Sequence, residues 1–332
     1  MEKQITDYRN ILVSRTDNLG DVILTLPLLS EIKKHNKKAR ITFLVKRYVE
    51  NLLRNYEDID ELMIIDDYSG ILSLSKLIKS KSFDLSICVY PRFSVALAMR
   101  IAGIKTRIGS GYRWYSFLFN EKVFEHRKDA VNHEADYNKN LLTPVCNSIS
   151  RGYDFKFRYD NSEKIMLFEK LSNFKIDISQ KYVIVHPGSK GSAINFPASG
   201  FSGIVDFLCK MNKASIVFTG VESENEQIKN IIVQSGCDSS KIINLAGKLN
   251  LRELMIFIDN SSLFISNSTG PLHIAGALNK KIIAFYPNSA PMNKTRWKPL
   301  SNDTLIFTPP NESDDMDLIN IDEVCEAMRN LI

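Results

Sequence analysis

From residue 11 onward, short β-rich apolar runs alternate with helix-like stretches, and this alternation constrains the fold more than any other feature of the chain. "ILVSR" (11–15), "ARITFLV" (39–45), "ELMIID" (61–66), "DLSICVY" (84–90) and "KTRIGS" (105–110) read as strands. "LGDVILTLPLLSEIKKHN" (19–36) reads as a helix entered through a glycine turn, and further helices fall near 46–55, 70–80 and 93–102. Strand–helix–strand units of this kind imply right-handed crossovers and a largely parallel sheet. The pattern stops after "NLLTPV" (140–145), residues 146–165 show no clear period, and alternation resumes with "YVIVHPG" (182–188) and continues to "KIIAFY" (281–286). The sequence therefore predicts two doubly wound α/β halves, 1–160 and 161–318. A last helix over 319–332 can pack back on the first half. Open α/β sheets bind ligands beyond the carboxyl ends of their strands, so a nucleotide-type ligand is expected in a central cleft between the halves.

Charge and composition narrow the function classes. The chain has 332 residues and a net charge of +5, with basic residues crowded over 33–54 and again from Arg92 to Lys128. A solvated surface explains such charges, and so does an anionic partner: phosphates, an acidic glycan or a membrane surface. The second group interleaves with the aromatic run "YRWYSFLF" (112–119), which suits peripheral contact with a membrane surface. No nucleic-acid motif is present. No apolar run approaches the roughly 18 residues of a membrane span, and "MEKQITDYRN" lacks a secretory signal pattern, so a cytoplasmic location is expected. The five cysteines have no metal-ligand spacing and are expected to be reduced structural thiols, with no disulfide framework. Asp66-Asp67 and Asp314-Asp315 read as turn residues, and neither a metal site nor a cofactor is expected.

Three stretches carry chemistry. In "FISNSTGPLHIAGAL" (264–278) a strand hands over to a helix. Ser268 or Thr269 can cap that helix, Gly270 allows close backbone approach and Pro271 suits its first turn. The unpaired N–H groups and positive dipole end of such a helix form an anion site suited to a diphosphate, to which His273 can add a donor. A plain cap beside a buried histidine would use the same residues. In "SRTDNLGDVILTLPLL" (14–29), Asp21 stands at the start of the first helix. It is a dipole partner there and also a candidate general base, with Asp17 as the competing carboxylate. In "VHPGSKGSAINFPASGF" (185–201), Ser189 and Lys190 leave a strand, and Lys190 can meet a phosphate as a point charge.

Together these stretches resemble glycosyltransferase family 9, the bacterial heptosyltransferases of lipopolysaccharide core synthesis. "ILVSRTDNLGDVILTLPLL", "VIVHPGS…FP…F", "FTGVESENEQ", "NLAGKLNLRELMIFI" and "LFISNSTGPLHIAGAL" occur in the family's order along nearly the whole chain. The resemblance implies a GT-B fold, with an N-terminal acceptor domain and a C-terminal nucleotide-sugar domain. It also implies inverting, metal-independent transfer from a nucleotide-sugar donor, usually ADP-heptose, to a phosphorylated glycolipid acceptor. Asp21 matches the family's proposed base. Thr269, Gly270, Pro271 and His273 match the diphosphate-holding segment, and Ser189 faces the phosphates. Leu249 matches a residue lining the adenine pocket. Glu224 lies where an acidic residue approaches the ribose, with Glu222 as the alternative. Arg92 and His133 match N-domain positions assigned to the acceptor. The family's lysine or arginine before a Trp-Pro pair is missing: Ile194, Asn195 and Phe196 stand there, and Lys190 is the substitute four residues upstream. A sugar-nucleotide epimerase and a non-catalytic glycan- or nucleotide-binding relative are the rival readings.

Overall fold

The structure is a computed structural model that describes residues 3–174, 176, 180–189, 194–329 and 331. It divides into two compact units, residues 1–158 and 159–332.

The first unit is built on a six-stranded sheet. Its strands are β1 (Asn10–Ser14), β2 (Arg40–Val45), β3 (Glu61–Ile64), β4 (Leu85–Cys88), β5 (Thr106–Ser110) and β6 (Glu121–Val123), in the order β3-β2-β1-β4-β5-β6. Every pairing is parallel. β1 and β4 are buried along almost their whole length, because helices cover both faces of a parallel sheet. That is why they read as unbroken apolar runs. The helix expected over 19–36 is instead two, Leu19–Ile23 and Leu26–His35. Thr25 Oγ1 donates to the Asp21 carbonyl at 2.8 Å, and Pro27 in the first turn of the second helix has no N–H to continue the ladder.

The second unit repeats the plan. β7 (Tyr182–His186), β8 (Ser215–Phe218), β9 (Ile242–Asn244), β10 (Leu263–Asn267), β11 (Ile282–Phe285) and β12 (Thr304–Phe307) lie in the order β12-β11-β10-β7-β8-β9, again all parallel. Phe196 anchors this core, stacked on Phe285 at 3.9 Å between ring centroids and edge-on to Phe201 at 5.3 Å. The helix Ile321–Arg329, expected to be able to return to the first half, has its apolar face, Val324, Cys325 and Met328, in the core of the second unit beside the helix Ala198–Met211. The stretch left without a period also holds structure: the helix Asn161–Ser172 opens there, capped by Asp160, whose side chain accepts from Glu163 N at 2.9 Å.

The cysteine expectation is overturned for one pair. Cys209 and Cys237 form a disulfide 28 residues apart, joining the end of the helix Ala198–Met211 to the turn after the helix Asn225–Gln234, while Cys88, Cys146 and Cys325 are free and buried. Unfolded, non-reduced protein is therefore expected to take up three equivalents of a thiol alkylator, and five after reduction, by intact mass. Reduction should lower stability by about 2–4 kcal/mol in a denaturant titration. Five equivalents without reduction would show that the bridge does not form.

Candidate active site

Both sheets reverse winding at their centre, between β1 and β4 in the first and between β7 and β10 in the second. Helices leave in opposite directions on either side of such a point, opening a crevice beyond the strand ends. Register places Ser14 beside Cys88, and His186 beside Ser266, so the segments that follow these residues flank the two reversals. Most of the sequence-predicted residues lie on those segments.

In the first unit β1 runs straight into Arg15, which is buried at 3% exposure. Its Nε donates to Asp17 Oδ1 at 2.7 Å and its Nη2 donates to Asp21 Oδ1. Burial works against the Arg15 charge, but Asp21, Asp17 and Glu134 more than offset it and hold the guanidinium protonated. Asp21 occupies the first turn of the helix Leu19–Ile23, with 13% of its side chain exposed. Asp17 is different: burial, reinforced by the neighbouring Asp21 charge and opposed by Arg15, pushes its carboxyl up to about 6. Across the reversal, Arg92 is exposed at the start of the helix Phe93–Ile101. His133 is buried and caps the helix Glu134–Lys139, its Nδ1 accepting from Ala135 N at 3.2 Å.

In the second unit Thr269 is the N-cap of the helix Gly270–Ala277, its Oγ1 accepting from Leu272 N at 3.3 Å and lying 3.1 Å from Ser266 Oγ. Ser268 hydrogen-bonds Tyr286. His273 is buried in the first turn, its ring 6.2 Å from that of Trp297. Asn267, fully buried, bridges the reversal: its Nδ2 donates to Pro187 O at 2.7 Å and its Oδ1 accepts from Phe196 N at 2.8 Å. Ser266 Oγ donates to His186 O at 2.9 Å. These bonds tie both ends of the segment that carries Ser189, itself buried. Lys190 lies outside the described residues. Ile194, where a cation was expected, is exposed.

Farther along the same sheet edge, after β8, the Glu224 carboxylate packs so closely that a Cβ at Gly188 or Gly220 would collide with it, at 2.0 and 2.8 Å. Its Oε2 accepts from Val221 N at 2.9 Å. Glu222 is exposed, and Leu249 is half-buried just before the helix Leu251–Asp259.

Sequence reading did not single out Arg15, Glu134, Asn138 or Asn267. Arg15 offered a signal, a cation closing an otherwise apolar strand. A cavity of about 600 Å³ opens elsewhere in the first unit, lined in part by Glu31, Lys34, Asp58 and Lys156. None of the predicted site residues lines it. Asp66 and Asp67 accept from Arg47 as turn residues, and among the described residues no group of three or more His, Cys, Asp or Glu side chains could hold a metal ion.

Asp17 gives the site a signature in stability. Its folded-state pKa, about 6, lies above the usual 3.8, so the native chain binds more protons than the unfolded one between those values. The stability it contributes is complete below the lower value and is lost as pH rises through the upper one. Asp17→Asn is expected to gain in Tm relative to wild type as pH is raised from about 4 to about 7. A pH-independent difference would show that Asp17 ionises normally.

A model of the family described as glycosyltransferase family 9 (heptosyltransferase) matches residues 71–318. Lipooligosaccharide heptosyltransferase 2 of Haemophilus influenzae is 30% identical over 301 residues, covering 85% of this chain and 84% of that protein. Among solved structures, a family 9 glycosyl transferase from Veillonella parvula superposes with a TM-score of 0.85 at 20% identity, over 100% of this chain and 99% of that one. The E. coli ADP-heptose lps heptosyltransferase II gives 0.81 at 18% identity, over 97% and 98%. These two likenesses concern the fold, which is GT-B. With two doubly wound parallel sheets and a family match over most of its length, the chain belongs to glycosyltransferase family 9 and is a glycosyltransferase.

Proposed function

We propose that this enzyme transfers a heptose from ADP-heptose to a phosphorylated lipopolysaccharide-type acceptor, with inversion at the anomeric carbon and without a metal ion. The observation that carries the reading is Asp21. One carboxylate oxygen, Oδ1, is held by Arg15, while Oδ2 accepts no hydrogen bond from the described residues. A largely buried carboxylate with one anchored oxygen and one that accepts no hydrogen bond is suited to take a proton. The names of two relatives support the substrate: one is an ADP-heptose lps heptosyltransferase, the other a lipooligosaccharide heptosyltransferase.

In this mechanism Asp21 Oδ2 removes the acceptor hydroxyl proton as that oxygen attacks the anomeric carbon. The bond from that carbon to the diphosphate oxygen breaks, and its electron pair leaves with ADP. The leaving charge is stabilised by the start of the helix Gly270–Ala277 with Ser189, Ser268, Thr269, Gly270, Pro271 and His273 around it, a preorganised dipole that requires no metal. Lys190 is the cation proposed for the same charge. Glu224, or Glu222 in its place, meets the ribose, and Leu249 meets the base. Arg92 and His133 belong to the acceptor side. The domain roles follow: residues 1–160 bind the acceptor, 161–318 the nucleotide sugar.

The acceptor side has a further property. Trp114 is 74% exposed and stacked on Phe93 at 5.0 Å, with Phe117 and Phe124 also exposed. Arg92, Arg113 and Lys122 are exposed nearby in sequence and enter no ion pair among the described residues. No helix of the structure is long and apolar enough to cross a membrane. Aromatic rings that suit the water–lipid interface, beside unpaired cations worth about 1 kcal/mol each near an anionic surface, favour peripheral contact with the inner membrane.

Two measurements test this reading. Asp21→Asn is expected to lose transfer from ADP-heptose on the order of 100- to 10,000-fold while ADP still raises its Tm as in wild type. Near-wild-type turnover would remove Asp21 as the base. Sedimentation with anionic vesicles should capture the protein at low salt and release it at high salt, with little binding to neutral vesicles. Equal binding to both, or none to either, would remove the membrane contact and leave a soluble acceptor.

A further inference from the structure

Five charged side chains of the first unit meet behind Asp21. Arg15 donates to Asp17 and Asp21, and its Nη1 also reaches Glu134 Oε1 at 3.4 Å and Asn138 Oδ1 at 3.2 Å. Arg127 Nη1 reaches the same two acceptors, Glu134 Oε1 at 2.6 Å and Asn138 Oδ1 at 2.9 Å, and its Nη2 donates to Tyr137 O at 3.2 Å. Asn138 turns its amide nitrogen the other way, to Leu24 O at 2.9 Å and Thr25 Oγ1 at 3.3 Å, at the break that ends the Asp21 helix. Tyr48 Oη donates to Asp17 O at 2.9 Å from the β2 side. The Glu134 side chain is 1% exposed and that of Arg15 4%, so neither charge is shared with bulk water.

An isolated carboxylate at that depth would be expelled or neutralised. Glu134 is held because two guanidinium groups face one of its oxygens; among the charged members of the cluster it is the one that touches both, as the amide oxygen of Asn138 also does. With all five groups ionised, three carboxylates against two guanidinium groups leave one excess negative charge in the cluster.

We propose that Arg15 and Glu134 are positioning residues for the transfer reaction: Glu134, clamped by Arg127, fixes the Arg15 guanidinium, and Arg15 fixes the Asp21 carboxylate with Oδ1 occupied and Oδ2 open. This rests on the reading of Asp21 as the base. Neither residue touches substrate. Their work is to remove the rotational freedom of the Asp21 carboxylate, so that the open oxygen lies where the acceptor proton will be. Losing such alignment costs on the order of 100-fold in rate without loss of donor affinity.

The test uses the full chain and the variants Arg15→Gln, Arg15→Lys, Glu134→Gln and Asp21→Asn. The reactants are ADP-heptose and de-O-acylated lipopolysaccharide. Glu134→Gln and Arg15→Gln are expected to lose on the order of 10- to 100-fold in kcat, with the KM for ADP-heptose within about threefold of wild type and the Tm rise with ADP retained. Arg15→Lys keeps the charge without the planar fork and should recover only part of that loss. The second readout needs no activity: ¹³C NMR titration of the Asp17 carboxyl. Arg15 lowers and Asp21 raises the Asp17 midpoint, so Arg15→Gln should move it up and Asp21→Asn should move it down. Wild-type kcat in Glu134→Gln or Arg15→Gln, or an Asp17 midpoint unmoved in either Arg15→Gln or Asp21→Asn, would overturn the proposal. If wild type itself transfers nothing between these reactants, the substrate reading fails, and the Asp17 titration still decides whether the cluster is coupled as described.

Discussion

The reversal of winding at the centre of each sheet is the constraint on which the rest depends. A parallel sheet leaves all of its strand ends pointing one way. Only where the crossovers change side do two neighbouring ends remain uncovered by a connecting helix. In this enzyme the two uncovered places follow β1 and β4, and β7 and β10. The side chains with chemistry to offer are concentrated there because the topology leaves the main chain open there.

The two reversals solve different electrostatic problems. The first is an ionic cluster, in which Arg15, Asp17, Asp21, Glu134 and Arg127 are exchanged among one another at low exposure. Among the described residues the second is held by uncharged hydrogen-bond partners: Asn267 across the reversal and Ser266 with Thr269. In the mechanism we propose, the first place gains and loses a proton, which suits charges whose balance can shift, and the second meets a departing anion, which suits fixed dipoles that need no reorganisation when charge arrives.

Much of this was legible in the sequence, for a physical reason. Central strands of a parallel sheet are buried on both faces, so β1, β4, β7 and β10 appear as continuous apolar runs. The edge strands β6 and β12 are short and half-exposed, give neither a run nor a clean alternation, and were passed over. The helix Asn161–Ser172 has little amphipathic contrast, and its only local mark was the Asp160…Glu163 capping pair. Helix starts announce themselves through local chemistry, which is why Asp21 and Thr269 could be singled out. The partner of Arg15 could not, because Glu134 is 119 residues away and the pairing exists only once the helix Glu134–Lys139 is docked. The Cys209–Cys237 bridge escaped notice similarly, since nothing local relates two cysteines at the ends of different helices.

The fit of Glu224 against Gly188 and Gly220 has a consequence for variation at these positions. Its carboxylate fills the volume that a side chain at either glycine would need, and a shorter residue at 224 opens a hole beside two bare stretches of main chain. The colliding atoms are the far end of a flexible side chain, so a side chain at 188 or 220 is expected to be accommodated by swinging the Glu224 carboxylate off Val221 N rather than to be barred.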